Sequence, residues 1–352
     1  MKAKPASSQS NRGPLPRVLR PLAGPFSRVY TSEISRRNKR WDAGQNVVTI
    51  DRPVISVGNL SVGGTGKTPM VAAICHWLLD ADHHPAIAMR GYAATNGLSD
   101  EADEYRRSLG DSVPVVAQPD RLEGLLRLFA QVGDDVDCVV LDDGFQHRRI
   151  ARGLDIVLID ASRDPFSDSC LPAGWLREPV ASLVRADAVV LTHAELVDEA
   201  EIGRLRDLVH QETDAKVCLA AHRWGSLNVS TDSQDQTEPV DWLNGKRIFA
   251  ACAIGNPAGF LSSAKAASGG SLEGSLVLTD HDRYRPKTID RLIAAAQECD
   301  AIVVTEKDWS KLARVEASRW PCPVARASLA MGFIEGESVL RQAVLGCAAG
   351  ED

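Results

Sequence analysis

Residues 54–68 read Val54-Ile-Ser-Val-Gly-Asn-Leu-Ser-Val-Gly-Gly-Thr-Gly-Lys-Thr68: an apolar run of strand length passes into a glycine-rich turn that closes on Gly66-Lys67-Thr68. Glycine takes positive φ without steric cost, so Gly63, Gly64 and Gly66 let the backbone N–H groups of a turn running from Ser61 and Val62 through Thr65 close around a polyphosphate. Lys67 adds a point charge there, and the Thr68 hydroxyl can ligate Mg²⁺. The pattern G-x-x-x-x-G-K followed by Ser or Thr is met except at its first glycine, which is Ser61 here. A helix is expected next, because Pro69 suits a first turn and Met70, Val71, Ile74, Cys75, Leu78 and Leu79 recur on one face. Strand, loop and helix in this order predict binding of ATP or GTP.

Outward from this stretch, strand-like runs alternate with helical patterns at 54–58, 85–89, 113–117, 136–141, 154–159, 187–192, 216–221, 247–253, 275–279 and 300–304. The alternation predicts an α/β fold, a P-loop NTPase-like and mostly parallel sheet flanked by helices, with a smaller α/β C-terminal domain. Residues 226–239 lack apolar periodicity and read as a linker, which divides the chain at 46–225 and 226–352 behind an N-terminal segment, 1–45. That segment carries ten Lys/Arg against Glu33 and Asp42. The whole chain is −7, so the remaining body is strongly acidic, which argues against a general nucleic-acid binder. Residues 15–41 mix those bases with Leu15, Val18, Leu19, Leu22, Phe26, Val29, Tyr30 and Ile34, a broken amphipathic helix interrupted by Pro21 and Pro25. Such a helix either rests on an anionic membrane surface or packs on the body with its basic side in water. The eight cysteines are scattered, with no C-x-x-C pair, and read as reduced, buried small side chains. No apolar run is long enough to span a bilayer, and the N-terminus has no signal-peptide core, which predicts a chain that is neither spanning nor exported.

In open α/β sheets ligands sit at the carboxyl ends of strands. Polar residues gather there: Arg90, Asp142 and Asp143, Asp160, Thr192 and His193, and Thr305-Glu306. Asp142 and Asp143 after a buried strand suit a cation held beside Thr68, although they also suit a simple turn with Gly144. Asp100-Glu101-Ala-Asp103-Glu104 offers a general base or, equally, a solvated first helical turn. His281, in Asp280-His281-Asp282, ends another strand, and Arg177 lies on a turn-rich segment where a guanidinium can meet phosphate charge. In Thr305-Glu306-Lys307-Asp308 the lysine does not directly follow the threonine, as a guanine-reading element requires, which favours ATP.

Together, Val57-Gly-Asn-Leu-Ser-Val-Gly-Gly-Thr-Gly-Lys-Thr-Pro69, Arg90-Gly-Tyr92, Asp103-Glu104, Leu141-Asp-Asp-Gly-Phe-Gln-His147, Leu171-Pro-Ala-Gly174, Leu176-Arg-Glu-Pro179, Asp280-His281 and Thr305-Glu-Lys-Asp308 resemble the tetraacyldisaccharide 4'-kinase family over roughly residues 15 to 340. Ser61 matches that family's way of writing the loop, whereas Ala93, Tyr105 and Trp175 depart from its pattern. The resemblance implies ATP-dependent phosphorylation of the 4'-hydroxyl of a tetraacyl glucosamine disaccharide 1-phosphate. It places the enzyme peripherally at the cytoplasmic face of the bacterial inner membrane, with no obligate protein partner. It further implies Asp103 paired with His281 as the base, and Thr68, Glu104, Asp142 and Asp143 around Mg²⁺. Lys67 and Arg177 act on the transferring phosphate, domain closure excludes water, and the N-terminal segment is an interfacial anchor. The rival is a P-loop ATPase switch that binds partners through nucleotide-dependent dimers. Such proteins carry a second lysine before the glycine pair, where this chain has Val62.

Overall fold

A computed structural model describes residues 14, 20–91, 100–231, 234–254, 257–270, 272–279 and 282–350, with side chains from residue 23 in the first helix and from residue 102 in the third. Asp280, His281, Tyr92 and Ala93 lie outside the described residues. In chain order the first elements are α1 (Arg20–Asp42), β1 (Val54–Asn59), α2 (Lys67–Leu79), β2 (Pro85–Met89), α3 (Asp100–Leu109), β3 (Val115–Ala117) and α4 (Arg121–Val132). There follow β4 (Cys138–Asp142), β5 (Leu154–Asp160), β6 (Ala188–Thr192), α5 (Glu199–Glu212), β7 (Lys216–Ser230) and β8 (Asp235–Glu238). The last are β9 (Ile248–Cys252), α6 (Pro257–Ala267), β10 (Gly274–Val277), α7 (Pro286–Ala295), β11 (Ala301–Thr305), α8 (Glu306–Leu312), β12 (Val324–Glu335) and α9 (Glu337–Ala348). Each of the ten expected strands forms, nine of them within a few residues of the expected bounds, while β7 runs to Ser230, nine residues past its expected end at 221, and β8 and β12 were not expected.

Two compact units result: Met1–His222 with Met331–Asp352, and Arg223–Ala330. The expected second domain, 226–352, therefore ends early, because α9 returns to the first unit. There Leu340, Val344 and Ala348 join a core with Ile55, Val57, Met70, Ile74 and Leu78. The described residues of 226–239 are also not a linker. Leu227 and Val229 are buried alternately with polar neighbours, and this end of β7 pairs antiparallel with β8. Period-two burial with only two apolar residues is too short a pattern to read from composition.

In the first unit the strands run β7-β6-β5-β1-β4-β2-β3, all parallel. All six residues of β1 are buried, as a strand covered on both faces must be. Val57 stands opposite Asp142 and Asp160 opposite Thr192, so β1, β4, β5 and β6 finish at one edge. At β1 the strand order reverses, and its carboxyl end is where such sheets open a crevice. The second unit orders β10-β9-β11-β12 in parallel around Phe249, Ala251, Ile302, Val304 and Leu292. Its Thr305 and Asp308 serve the fold. Thr305 caps α8 by accepting from Asp308 N (3.2 Å), and fully buried Asp308 accepts from Thr305 Oγ1 (2.6 Å) and Ala253 N (3.1 Å).

Helix α1 is continuous, not broken. Pro21 falls in its first turn, and Pro25 follows before the helix has many bonds to lose. One face, Ser27, Tyr30, Ile34 and Asn38, turns inward, while Phe26, Arg28, Val29, Arg36, Lys39 and Arg40 are exposed. The helix thus packs on the body with its basic side exposed, the second of the alternatives drawn from sequence. Ser27 Oγ donates to the Cys170 carbonyl (2.7 Å), Tyr30 Oη to the Arg177 carbonyl (2.9 Å) and Asn38 Nδ2 to Glu178 Oε2 (2.7 Å). Among the described residues no helix is long and apolar enough to cross a membrane, and all eight cysteines are free thiols.

Candidate active site

Asn59, the fully buried last residue of β1, holds both ends of the glycine turn. Its Nδ2 donates to the Ser61 carbonyl (2.7 Å) and to Thr65 Oγ1 (3.0 Å), while its Oδ1 accepts from Lys67 Nζ (3.2 Å). Thr192 Oγ1 donates to the Thr65 carbonyl (3.0 Å), and Gln146 Nε2 to that of Asn59 (2.9 Å). On the outer side, Val62 N donates to the Trp175 carbonyl (2.8 Å) and Arg177 N to that of Leu60 (2.7 Å), so the segment carrying Arg177 runs antiparallel against the loop. Gly63 (φ 131°) and Gly66 (φ 84°) take the conformations only glycine holds cheaply. A Cβ on Gly66 would also strike the His222 imidazole, and one on Gly63 the Arg163 guanidinium. All of Ser61, Val62, Gly63, Gly64, Thr65, Gly66, Lys67 and Thr68 lie on this turn and the first turn of α2, where unpaired N–H groups favour an anion.

Asp143 is brought to the two cations. Arg177 Nη1 lies 2.8 and 2.6 Å from its two carboxylate oxygens, and Lys67 Nζ is 3.5 Å from Oδ1. Its backbone is left-handed (φ 53°), with Arg121 Nη1 donating to its carbonyl (3.2 Å). Burial alone would raise this carboxyl, but Lys67, then Arg177 and Arg121, outweigh it and hold Asp143 below the ordinary carboxylate range. Asp142, ending β4, is only 5% exposed. The buried hydroxyl of Tyr105 from α3 faces Asp142 and Thr68, and its ionisation is pushed far up by burial and then by the Asp142 charge.

Asp103 and Glu104 share α3 with Tyr105. Asp103 is half-exposed and ion-pairs with Arg106 (2.9 Å), and its expected partner His281 lies outside the described residues. Among the described residues no three His, Cys, Asp or Glu side chains converge closely enough to enclose a cation. Thr68, Glu104, Asp142 and Asp143 are therefore not a finished cage. Mg²⁺ needs none, since it keeps several waters and takes one or two carboxylates plus substrate phosphates. The donors at hand are hard oxygens, and the buried Tyr105 hydroxyl among them lacks a well-aligned hydrogen bond, so the residues fit the ion.

A second buried cluster borders the loop. Asp160 Oδ1 accepts from Ser162 N (3.0 Å) and Ser162 Oγ (2.6 Å) and meets His193 Nδ1 at 3.2 Å. The His193 ring lies edge-on to His222 at 4.1 Å. Burial, then His193, lowers His222 to about 4, so it is neutral against the loop. The strand ends in the sequence point to Asp160, Thr192 and His193 as rim residues. His222, within a strand, carries no such signal, and neither does Asn59, whose role depends on the turn it faces.

A family model described as tetraacyldisaccharide-1-P 4'-kinase matches residues 19–344. A tetraacyldisaccharide 4'-kinase of Chlorobium limicola is 32% identical over 92% of this chain and 96% of its own, and one of Chlorobaculum parvum is 34% identical over 83% and 84%. The crystal structure of LpxK from Aquifex aeolicus in complex with ATP is similar at a TM-score of 0.71 and 28% identity, covering 94% of this chain and 99% of that one.

Proposed function

The chain belongs to the tetraacyldisaccharide-1-P 4'-kinase family, and on that premise we propose that it transfers the γ-phosphate of ATP to the 4'-hydroxyl of tetraacyldisaccharide 1-phosphate, forming lipid IVA. The observation that carries this reading is the meeting of Lys67 and Arg177 on Asp143 at the mouth of the glycine turn. Two cations share one carboxylate, which leaves net positive charge beside the free N–H groups of α2. A polyphosphate answers both, and Arg177 then helps to stabilise the charge that spreads over the transferring group.

Mg²⁺, held by Thr68 and Asp142 with Asp143 and Glu104 as neighbouring acids, would neutralise phosphate oxygens when bound. Asp103, acting with His281, takes the proton of the 4'-hydroxyl as that oxygen attacks the γ-phosphorus, while the bond from that phosphorus to the β,γ-bridging oxygen breaks and ADP leaves. Asn59 keeps Lys67 and Thr65 in register, so that positioning precedes chemistry. Exposed Phe26 and Val29, among Arg28, Arg36, Lys39 and Arg40, suit contact with the anionic cytoplasmic face of the inner membrane, where the substrate's acyl chains stay in lipid.

The test follows labelled phosphate from ATP. Its appearance on the disaccharide lipid supports the kinase, whereas hydrolysis without labelled lipid would turn the reading to a switch ATPase. Asp103→Ala should lower kcat by at least about 100-fold while ATP still binds, and unchanged turnover would remove it as the base.

A further inference from the structure

Tyr105 is among the largest fully buried side chains. With Ala102 and Leu109 it forms the inward face of α3, against a core that includes Met70, Val71 and Ile74 of α2. A phenol at such depth normally has a partner, because an unmet O–H in apolar surroundings is costly. Here the hydroxyl has no well-aligned hydrogen bond, and the polar groups it faces are the Asp142 carboxylate and the Thr68 hydroxyl. These end β4 and begin α2, so three elements meet at one oxygen. A hydroxyl carries one donor and two acceptor lone pairs, so it can donate toward the carboxylate and accept from the threonine. One and two residues before it on the same helix stand Glu104 and Asp103.

We infer that Tyr105 is a positioning residue of the transfer site: its hydroxyl orients Asp142 and Thr68 toward a divalent cation and ties to them the helix that carries Asp103 and Glu104. The inference rests on the reading of Thr68 and Asp142 as cation-facing groups. A ligand's outer hydrogen-bond partner fixes its direction and basicity, and losing one weakens metal binding by roughly 10–100-fold. Phenylalanine at this position would leave the ring packing intact and remove only the oxygen.

The measurement is thermal stabilisation of the full chain by ATP as Mg²⁺ is varied, for the unaltered protein and for Tyr105→Phe, beside the Tm without ligand and ATP binding in EDTA. The expected result is an increase of about tenfold in the Mg²⁺ needed for half-maximal stabilisation, with binding in EDTA unchanged. In an Asp142→Asn background the same substitution should add no further shift. A Tyr105→Phe protein with unaltered Mg²⁺ dependence overturns the inference, whatever its Tm does, and so does an equal shift in the Asp142→Asn background. Should the unaltered protein's stabilisation by ATP ignore Mg²⁺, the cation reading itself falls, and the inference falls with it.

Discussion

At the residue scale the site is a problem of close approach and shared charge. Gly66→Ala meets two obstacles, a left-handed backbone costing about 1–2 kcal/mol for a side chain and the His222 ring in the path of the new Cβ. The expected outcome is a folded protein with ATP affinity at least tenfold weaker, read by calorimetry. Lys67→Ala removes a charge that both Asn59 and Asp143 engage, so nucleotide binding and transfer should fall together. Arg177→Lys keeps the charge but loses the planar donor fork, and kcat should drop more than ATP affinity. That the glycine turn, Asp143 and Arg177 come together was anticipated from the loop pattern, the acids at the end of β4 and the turn-rich segment carrying Arg177. Tyr105 was not, since an aromatic residue after two acids reads as helix packing, which it also is.

At the scale of elements, α1 shows why both readings of a basic apolar segment arose. Its inward residues at 27, 30, 34 and 38 follow helical spacing, yet three of the four are polar and are held by hydrogen bonds to 170–178 rather than by apolar burial. Periodicity in hydrophobicity therefore could not find that face. The outward face keeps the apolar residues: Phe26 is 57% and Val29 68% exposed. Phe26→Glu with Val29→Glu should weaken partition onto phosphatidylglycerol vesicles by at least about tenfold, as measured by sedimentation, without lowering the Tm. Equal binding by the double variant would take α1 off the membrane.

Across the whole molecule, buried histidines set the response to acid. His147 and His222 are each lowered to about 4, His147 by burial and then by Arg121, Arg152 and Arg149. An unfolded chain protonates these groups near pH 6.5, so between 6.5 and 4 it holds more protons than the folded one, and stability falls as pH falls, by up to about 3 kcal/mol for His222 and less for the more solvated His147. Below that window the depressed Asp143 and Asp160 lose their ion pairs, which continues the decline in the same direction. The Tm should begin to drop just below pH 6.5, and a flat Tm down to pH 5 would contradict neutral burial. Ten of the strands were legible because their apolar runs announce themselves, whereas β8, β12 and the far half of β7, with few buried apolar residues in alternation, were not. The return of α9 was not, since which sheet a helix covers depends on partners far away in sequence.

That return has a consequence for how the protein comes into being on the ribosome. The nucleotide turn is translated long before α9, but α2 behind it waits for that helix, whose Leu340 and Val344 are fully or almost fully enclosed against it. Until then the nascent turn has no finished wall, and Arg223–Ala330 is synthesised and can fold in the interval. A chain truncated near residue 336 keeps every proposed phosphate-binding residue but loses the Leu340 and Val344 packing behind α2, and calorimetry is expected to find its ATP affinity weakened.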